Sequence, residues 1–319
     1  MLKYLIIMMI SFLIVYLLMP HLIKIAIKKG FTDKPTKRKK HNKSIPLSGG
    51  IGMFIGFFTT YLFIIDRGNH LKDTVIIFIA ALMVLIIGVV DDYYKSKSKE
   101  FPIWPRVIVQ VLAAIMIFKI GIVFKGITNP FTGEFILFST PIQFILTISW
   151  IFGVTTVINW SDGMDGLAGS ISSISGTTMF VVALAKGQFP SALMSISLVG
   201  AILGFLRFNK HPAKVFMGDS GANFLGFMLA IIALEGAFKQ ATALSILIPV
   251  LALGVPIFDN LFVILKRYHS GKPVYEADRS QIHYRLQEKG MNASQVVLYI
   301  CILSGCLSLI SLLILMVKL

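Results

Sequence analysis

Acid is scarce in this chain. Its 319 residues include 15 Asp and Glu against 30 Lys and Arg, and charged residues of both signs make up 14%. So little charge excludes an ordinary water-facing surface, which carries roughly 25–35% charged residues. Cysteine is nearly missing. Cys301 and Cys306 lie five apart in the last apolar run, a setting that fits buried free thiols rather than a disulfide framework or a thiolate metal site. There is no low-complexity linker and no clear internal repeat, so one domain over 1–319 is expected. What abounds is apolar: 56% of residues are hydrophobic and the mean hydropathy is +0.81. That composition reads as an all-α polytopic membrane protein. The run from Met1 to about Ile27 is too long for a signal peptide and lacks a small-residue cleavage site, so it reads as a retained first span.

Apolar runs near 4–27, 49–65, 73–90, 104–122, 141–158, 167–186, 190–206, 221–238, 241–265 and 294–317 predict about ten transmembrane helices. The connections 24–48, 91–106, 159–166, 207–220 and 266–293 hold 22 of the 30 Lys and Arg. Positive residues stay on the cytoplasmic side, so these five loops are expected in the cytoplasm and both termini outside. The net charge of +15 fits this topology, anionic headgroups and an anionic substrate, and no nucleic-acid partner is expected. Eleven of the 15 acids lie in or beside the same loops. Orientation does not require that, since Asp and Glu contribute little to it. The clustering points to a catalytic cleft on the cytoplasmic face.

Each loop carries a candidate motif. Asp91-Asp92 ends the third apolar run, where two carboxylates meet the negative end of a helix and call for cations: Lys95, Lys97 and Lys99, or a divalent metal. Asn159-Trp-Ser-Asp162-Gly163-Met-Asp165-Gly166 places an amide and two carboxylates among glycines that admit a ligand to the backbone. Its bland alternative is a helix cap. Oxygen donors without Cys or clustered His favour Mg²⁺, with Mn²⁺ as the other option. Phe216-Met-Gly-Asp219-Ser-Gly opens the eighth run, where free helix N–H groups suit phosphate and Asp219 could be a ligand or a cap. The first loop runs Lys37-Arg38-Lys-Lys-His41 and then Ile-Pro46-Leu-Ser-Gly49-Gly50, a shaped and closely packed backbone. The last contains Asp278-Arg279-Ser-Gln281-Ile-His283-Tyr284-Arg285, a histidine among arginines that suit phosphate.

In this order, over essentially the whole chain, these motifs resemble the polyprenyl-phosphate N-acetylhexosamine-1-phosphate transferases, the WecA/TagO/MraY family, and the first loop is similar to the WecA/TagO branch. The resemblance implies an integral membrane enzyme of the cytoplasmic membrane. It would move a sugar 1-phosphate from a UDP-sugar to undecaprenyl or another polyprenyl phosphate, with Mg²⁺, releasing UMP and initiating a cell-envelope glycopolymer. It implies metal ligation by Asp219 with Asn159 or Asp162. It implies catalytic roles for Asp91, Asp92, Asp162 and His283. It implies substrate contacts from His41, Arg106, Gly163, Asp165, Asn209, Phe216 (stacked on uracil) and Arg285. The last loop departs from the branch's usual His-x-His-His-Arg-Leu and keeps the middle histidine. An N-acetylglucosamine donor, a related hexosamine, or a MurNAc-pentapeptide donor all stay open, as do one-step transfer and an Asp-phosphosugar intermediate. An ion-coupled secondary transporter is the rival of another class. A homodimer through a helix face is compatible with the sequence.

Overall fold

The computed structural model describes residues 1–33, 44–65, 67–129, 132–236, 243–271, 273 and 279–316. Long runs of Leu, Ile, Val, Phe and Met wind into helices because hydrocarbon offers the backbone no partner other than itself. In order they are α1 (Leu2–Lys28), α2 (Gly49–Ile64), α3 (Arg67–Ser96), α4 (Ile103–Lys119), α5 (Thr140–Trp160), α6 (Leu167–Ala185), α7 (Phe189–Asn209), α8 (Gly218–Gly236), α9 (Ala243–Ala252), α10 (Gly254–His269), α11 (Ile282–Glu288) and α12 (Ala293–Met316). Two small antiparallel pairs complete the set. β1 (Thr32–Asp33) pairs with β2 (Ile45–Pro46), Thr32 opposite Pro46, and β3 (Gly126–Thr128) pairs with β4 (Phe135–Leu137), Ile127 opposite Ile136. Beside the second pair the Gly133 N–H donates to the Asn129 carbonyl at 2.9 Å.

Every expected apolar run contains a helix, with one break. The run 241–265 is divided into α9 and α10, which meet at 81°. Pro249 and Pro256 flank the bend beside Gly254, and each removes a helix donor. Among the described residues six helices are long and apolar enough to cross a membrane, or seven with the bent pair as one span. The multi-pass class is thus plain, while α2 and α4, with 16 and 17 residues, extend only about 24–26 Å at ~1.5 Å per residue.

α8 is the axis of the bundle, with Ser220 to Leu234 buried throughout. It packs on α2, α3, α5, α6 and α7. Phe54, Phe57 and Phe58 of α2 meet Phe224 of α8 through ring contacts of 5.4–6.3 Å. Hydroxyls join helices where water is absent: Ser11 donates to the Ser197 carbonyl at 2.7 Å and Ser195 to Gly176 at 2.6 Å. α1 and α12 turn exposed faces outward, including Leu5, Leu13 and Leu17, and Leu298, Ile302, Leu309 and Leu313. Such faces suit lipid, not water.

Candidate active site

The mouth of α8 is built from three separate parts of the chain. The residues before it, Phe216-Met217, offer no side-chain acceptor for the free amides of its first turn. The first loop grips their backbone: the Phe216 N–H donates to the Pro46 carbonyl at 2.8 Å, Gly49 to Phe216 at 3.0 Å and Gly50 to Met217 at 3.2 Å. A Cβ on Gly50 would strike the Gly221 backbone, which is why this loop needs its double glycine. From the other side α3 supplies Asp92. Its Oδ1 accepts from the Asp219 N–H at 2.8 Å and its Oδ2 from the Ser220 N–H at 3.1 Å. Gly88, one turn earlier on α3, lies against the Ser220 backbone.

This grip delivers the Asp219 side chain to a cluster of opposite charges. Its Oδ2 stands 2.6 Å from the Lys95 Nζ and 3.6 Å from the Arg106 guanidinium. Arg106, at the start of α4, also donates to Asp91 Oδ2 at 2.8 Å, and Lys95 lies 3.8 Å from the same oxygen. Asp91 and Lys95 share a helix face at spacing i, i+4. The pair of adjacent acids is thus divided: Asp91 faces the side chains of Lys95, Arg106 and Asp219, while Asp92 faces backbone amides.

The loop 159–166 lies beside this cluster. Asp162 keeps some solvent contact. Burial first, then the charges of Asp219 and Asp92, push its carboxyl up to about 8. Asp165 faces the connection between α7 and α8, where its Oδ2 meets His211 Nδ1 at 2.8 Å and accepts the Ala213 N–H at 3.1 Å. Asn209 joins the same two loops, accepting from the Gly166 N–H at 2.9 Å and donating to the Val215 carbonyl at 2.8 Å. Gly166 needs its positive φ of 76° to start α6.

α11 closes the arrangement from the last loop. His283 is buried, and a Cβ on Gly163 would strike its ring. Burial pushes its imidazole down to about 4, so it is neutral at ordinary pH. Arg285 turns to α10, donating to Asp259 at 2.9 Å with its guanidinium 4.3 Å from the Phe262 ring centroid. Both Asp259 oxygens accept the Ile282 N–H, at 2.9 and 3.0 Å. Beside α11 a cavity of about 290 Å³ is lined by Lys266, Arg267, Ser270, Arg279, Ser280, Arg285 and Glu288, a lining that suits an anion. The Arg267 guanidinium lies 5.2 Å from the Trp160 ring, linking this cavity to the 159–166 loop.

Residues 74–237 match the model of glycosyl transferase family 4. Over 301 residues the chain is 36% identical to the probable undecaprenyl-phosphate N-acetylglucosaminyl 1-phosphate transferase of Bacillus subtilis, covering 94% of this chain and 82% of that one. The chain belongs to glycosyl transferase family 4. More distant family 4 similarity extends to undecaprenyl-phosphate alpha-N-acetylglucosaminyl 1-phosphate transferases. The Yersinia pestis protein is 26% identical over 292 residues (90% of this chain, 78% of that one), and the Escherichia coli K12 protein 26% over 294 (91% and 78%).

Within this family 4 chain, Asp91, Arg106, Asp162 and Asp219 form one charged neighbourhood with Lys95. Asp165 and Asn209 are held in loop-to-loop bonds, and Phe216 is half-buried beside them in sequence with Asp219. Asn159 ends α5, its carbonyl accepting the Asp162 N–H at 3.2 Å. His41 lies outside the described residues. Sequence reasoning gave no role to Asp259 or His211. An acid on an apolar helix is a usable signal for the first, and nothing local marks the second.

Among the described residues no three carboxylate, imidazole or thiolate groups are clustered as a ready metal cage. The donors still suit a hard divalent cation. They are carboxylate oxygens, and the charges of Asp219 and Asp92, which add to burial in raising the Asp162 carboxyl, are ones that a cation would relieve.

Proposed function

We propose that this family 4 protein transfers N-acetylglucosamine 1-phosphate, or a related N-acetylhexosamine 1-phosphate, from a UDP-sugar to undecaprenyl phosphate in the cytoplasmic membrane, releasing UMP and starting a cell-envelope glycopolymer. The activities for which the relatives are named support the reaction class across most of the chain. The observation that carries the reading is the meeting of Asp91 and Asp219 with Lys95 and Arg106 at the mouth of α8. Acids gathered at loop ends fit a surface cleft better than a transporter's midplane site.

The chemistry exchanges one phosphoanhydride for another. An oxygen of the lipid phosphate attacks the β-phosphorus of the donor, the bond from that phosphorus to the bridging oxygen breaks, and UMP leaves with the electron pair. A phosphate monoester has its second pKa near ~6, so the acceptor is largely dianionic at neutral pH and needs little base assistance. Two anions must meet, so neutralisation and alignment dominate. Lys95 and Arg106 are placed to draw phosphate oxygens to the Asp91–Asp219 cluster, and the basic cavity beside α11 extends that attraction. Asp219, with Asp162 and Asn159, would hold Mg²⁺, which supplies charge neutralisation of the pyrophosphate and of the departing UMP. Phe216 offers a ring for the uracil. The exposed apolar face of α10 (Phe258, Leu261, Phe262, Leu265) leads the polyprenyl chain toward the cluster along the bilayer.

The test is UMP release by purified protein given UDP-N-acetylglucosamine, undecaprenyl phosphate and Mg²⁺, with UDP-MurNAc-pentapeptide as the competing donor. Turnover with the first donor supports the reading. Failure with every UDP-hexosamine, alongside substrate flux in proteoliposomes, overturns it.

A further inference from the structure

Asp92 has a different environment from its neighbour Asp91, although both are buried. The partners of Asp91 are side chains: Lys95 and Arg106, which retain 40% and 27% exposure, and the Asp219 carboxyl. The partners of Asp92 are the backbone amides of Asp219 and Ser220, which cannot turn away unless α8 unwinds. A helix N-terminus needs acceptors for its first amides, ordinarily from a Ser, Thr, Asp or Asn just before it. Here that place is held by Met217, and the Ser220 hydroxyl faces the Met217 carbonyl at 3.3 Å. The contact leaves no room for adjustment. Gly218 sits at φ +67° with the Asp92 carboxylate where its Cβ would be, and Gly88 brings the α3 backbone against Ser220. The first loop fixes Phe216 and Met217 from the opposite side.

We propose that Asp92 is the N-cap of α8 supplied from α3, a positioning residue that holds the first turn of α8 and thereby aims the Asp219 carboxylate at Lys95, Arg106 and the reacting phosphates. It neither takes the acceptor's proton nor ligates the metal. This rests on the transferase reading only for what Asp219 is aimed at; the capping itself does not depend on it.

The experiment compares full-length wild type, Asp92→Asn and Asp92→Ala in lipid nanodiscs. Asn retains one acceptor oxygen and the shape, whereas Ala retains neither. The expected result is a graded order, wild type, then Asn, then Ala, in hydrogen–deuterium exchange of the peptide covering 216–224, with amide exchange about tenfold faster per lost cap. UMP release should follow the same order, and the half-saturating Mg²⁺ should rise at least about fivefold as Asp219 loses its aim, a change that a smaller folded fraction alone does not produce. Wild-type exchange in Asp92→Asn with activity as low as in Asp92→Ala overturns the proposal, because a base or charged ligand is lost equally in both. An unchanged half-saturating Mg²⁺ overturns the positioning role. If the wild type turns over no UDP-sugar, the transferase reading fails, and exchange and melting still decide the cap, since neither needs substrate.

Discussion

The Asp219 carboxylate separates two cations, with Lys95 at 2.6 Å and Arg106 at 3.6 Å. Neutralising it leaves those two cations with Asp91 as their shared carboxylate and removes an oxygen anion from the phosphate site. Asp219→Asn is expected to lower UMP release at saturating substrate by at least about 100-fold, the scale of losing one preorganised electrostatic group, with a thermal midpoint close to wild type. Gly163→Ala places a methyl group into the His283 ring. Overpacking of that kind costs about 1–3 kcal/mol, read as a lowered melting midpoint, and His283→Ala in the same chain should restore part of it. The His283 imidazole also predicts a pH dependence. Its folded value of about 4 lies below the ordinary 6.5 because burial excludes the charged form. Above pH 6.5 it is neutral folded and unfolded and contributes no slope. As pH falls from 6.5 toward 4 the unfolded chain takes up the proton first, so stability declines by up to about 1.4 kcal/mol per pH unit and then levels. Melting curves of wild type and His283→Asn over that range check the slope, which the variant should lack. These residues were visible in the sequence as motif members. What was not visible was the division between Asp91 and Asp92. Successive helical side chains point about 100° apart, so two adjacent acids face different neighbours, and only the packed α4 and α8 say which faces what.

At the scale of elements, the first turn of α8 is a joint among α2, α3 and the loop before it. Glycine makes the joint possible: Gly50 meets the Gly221 backbone and Gly88 the Ser220 backbone, and a Cβ at either would overlap main chain that cannot yield cheaply. Gly88→Ala is therefore expected to move α3 off α8, weaken both Asp92 bonds and cut UMP release more than tenfold, with faster exchange of the 216–224 amides marking the cause. The double glycine at 49–50 announced a close approach, and its partner Gly221, far along the chain, was hidden because backbone contact has no sequence pattern of its own. The helices themselves were legible from their apolar runs, since a backbone in hydrocarbon has few alternatives. The bend between α9 and α10 was signalled by Pro249 and Pro256 but overridden by a continuous apolar run. The short β3–β4 pair was not legible, because three-residue strands carry too few alternations to register.

For the whole molecule, the connections 24–48, 91–106, 159–166, 207–220 and 266–293 meet at one end of the bundle through bonds between their described residues: Pro46 to Phe216, Arg106 to Asp91, Asp92 to Asp219, Asn209 to Gly166, and His283 against Gly163. Together these connections hold 22 of the 30 Lys and Arg, so the positive-inside rule predicts that end in the cytoplasm. With Cys301 and Cys306 replaced by Ser, a Ser270→Cys variant should react with a membrane-impermeant maleimide in inverted vesicles and not in intact cells. Labelling in intact cells would reverse the orientation. The sequence by itself determined the helical, membrane-embedded class, the side on which charge gathers and the set of motifs, because transfer free energy and loop charge act through composition and local order. The tertiary structure alone decided what stands in front of each acid. Asp92, Asp165 and Asp259 accept backbone N–H groups from distant segments, while Asp91 and Asp219 face Lys95 and Arg106. What a carboxylate can offer a ligand depends on whether a backbone amide or a cationic side chain stands in front of it, and that is set by which helices pack together.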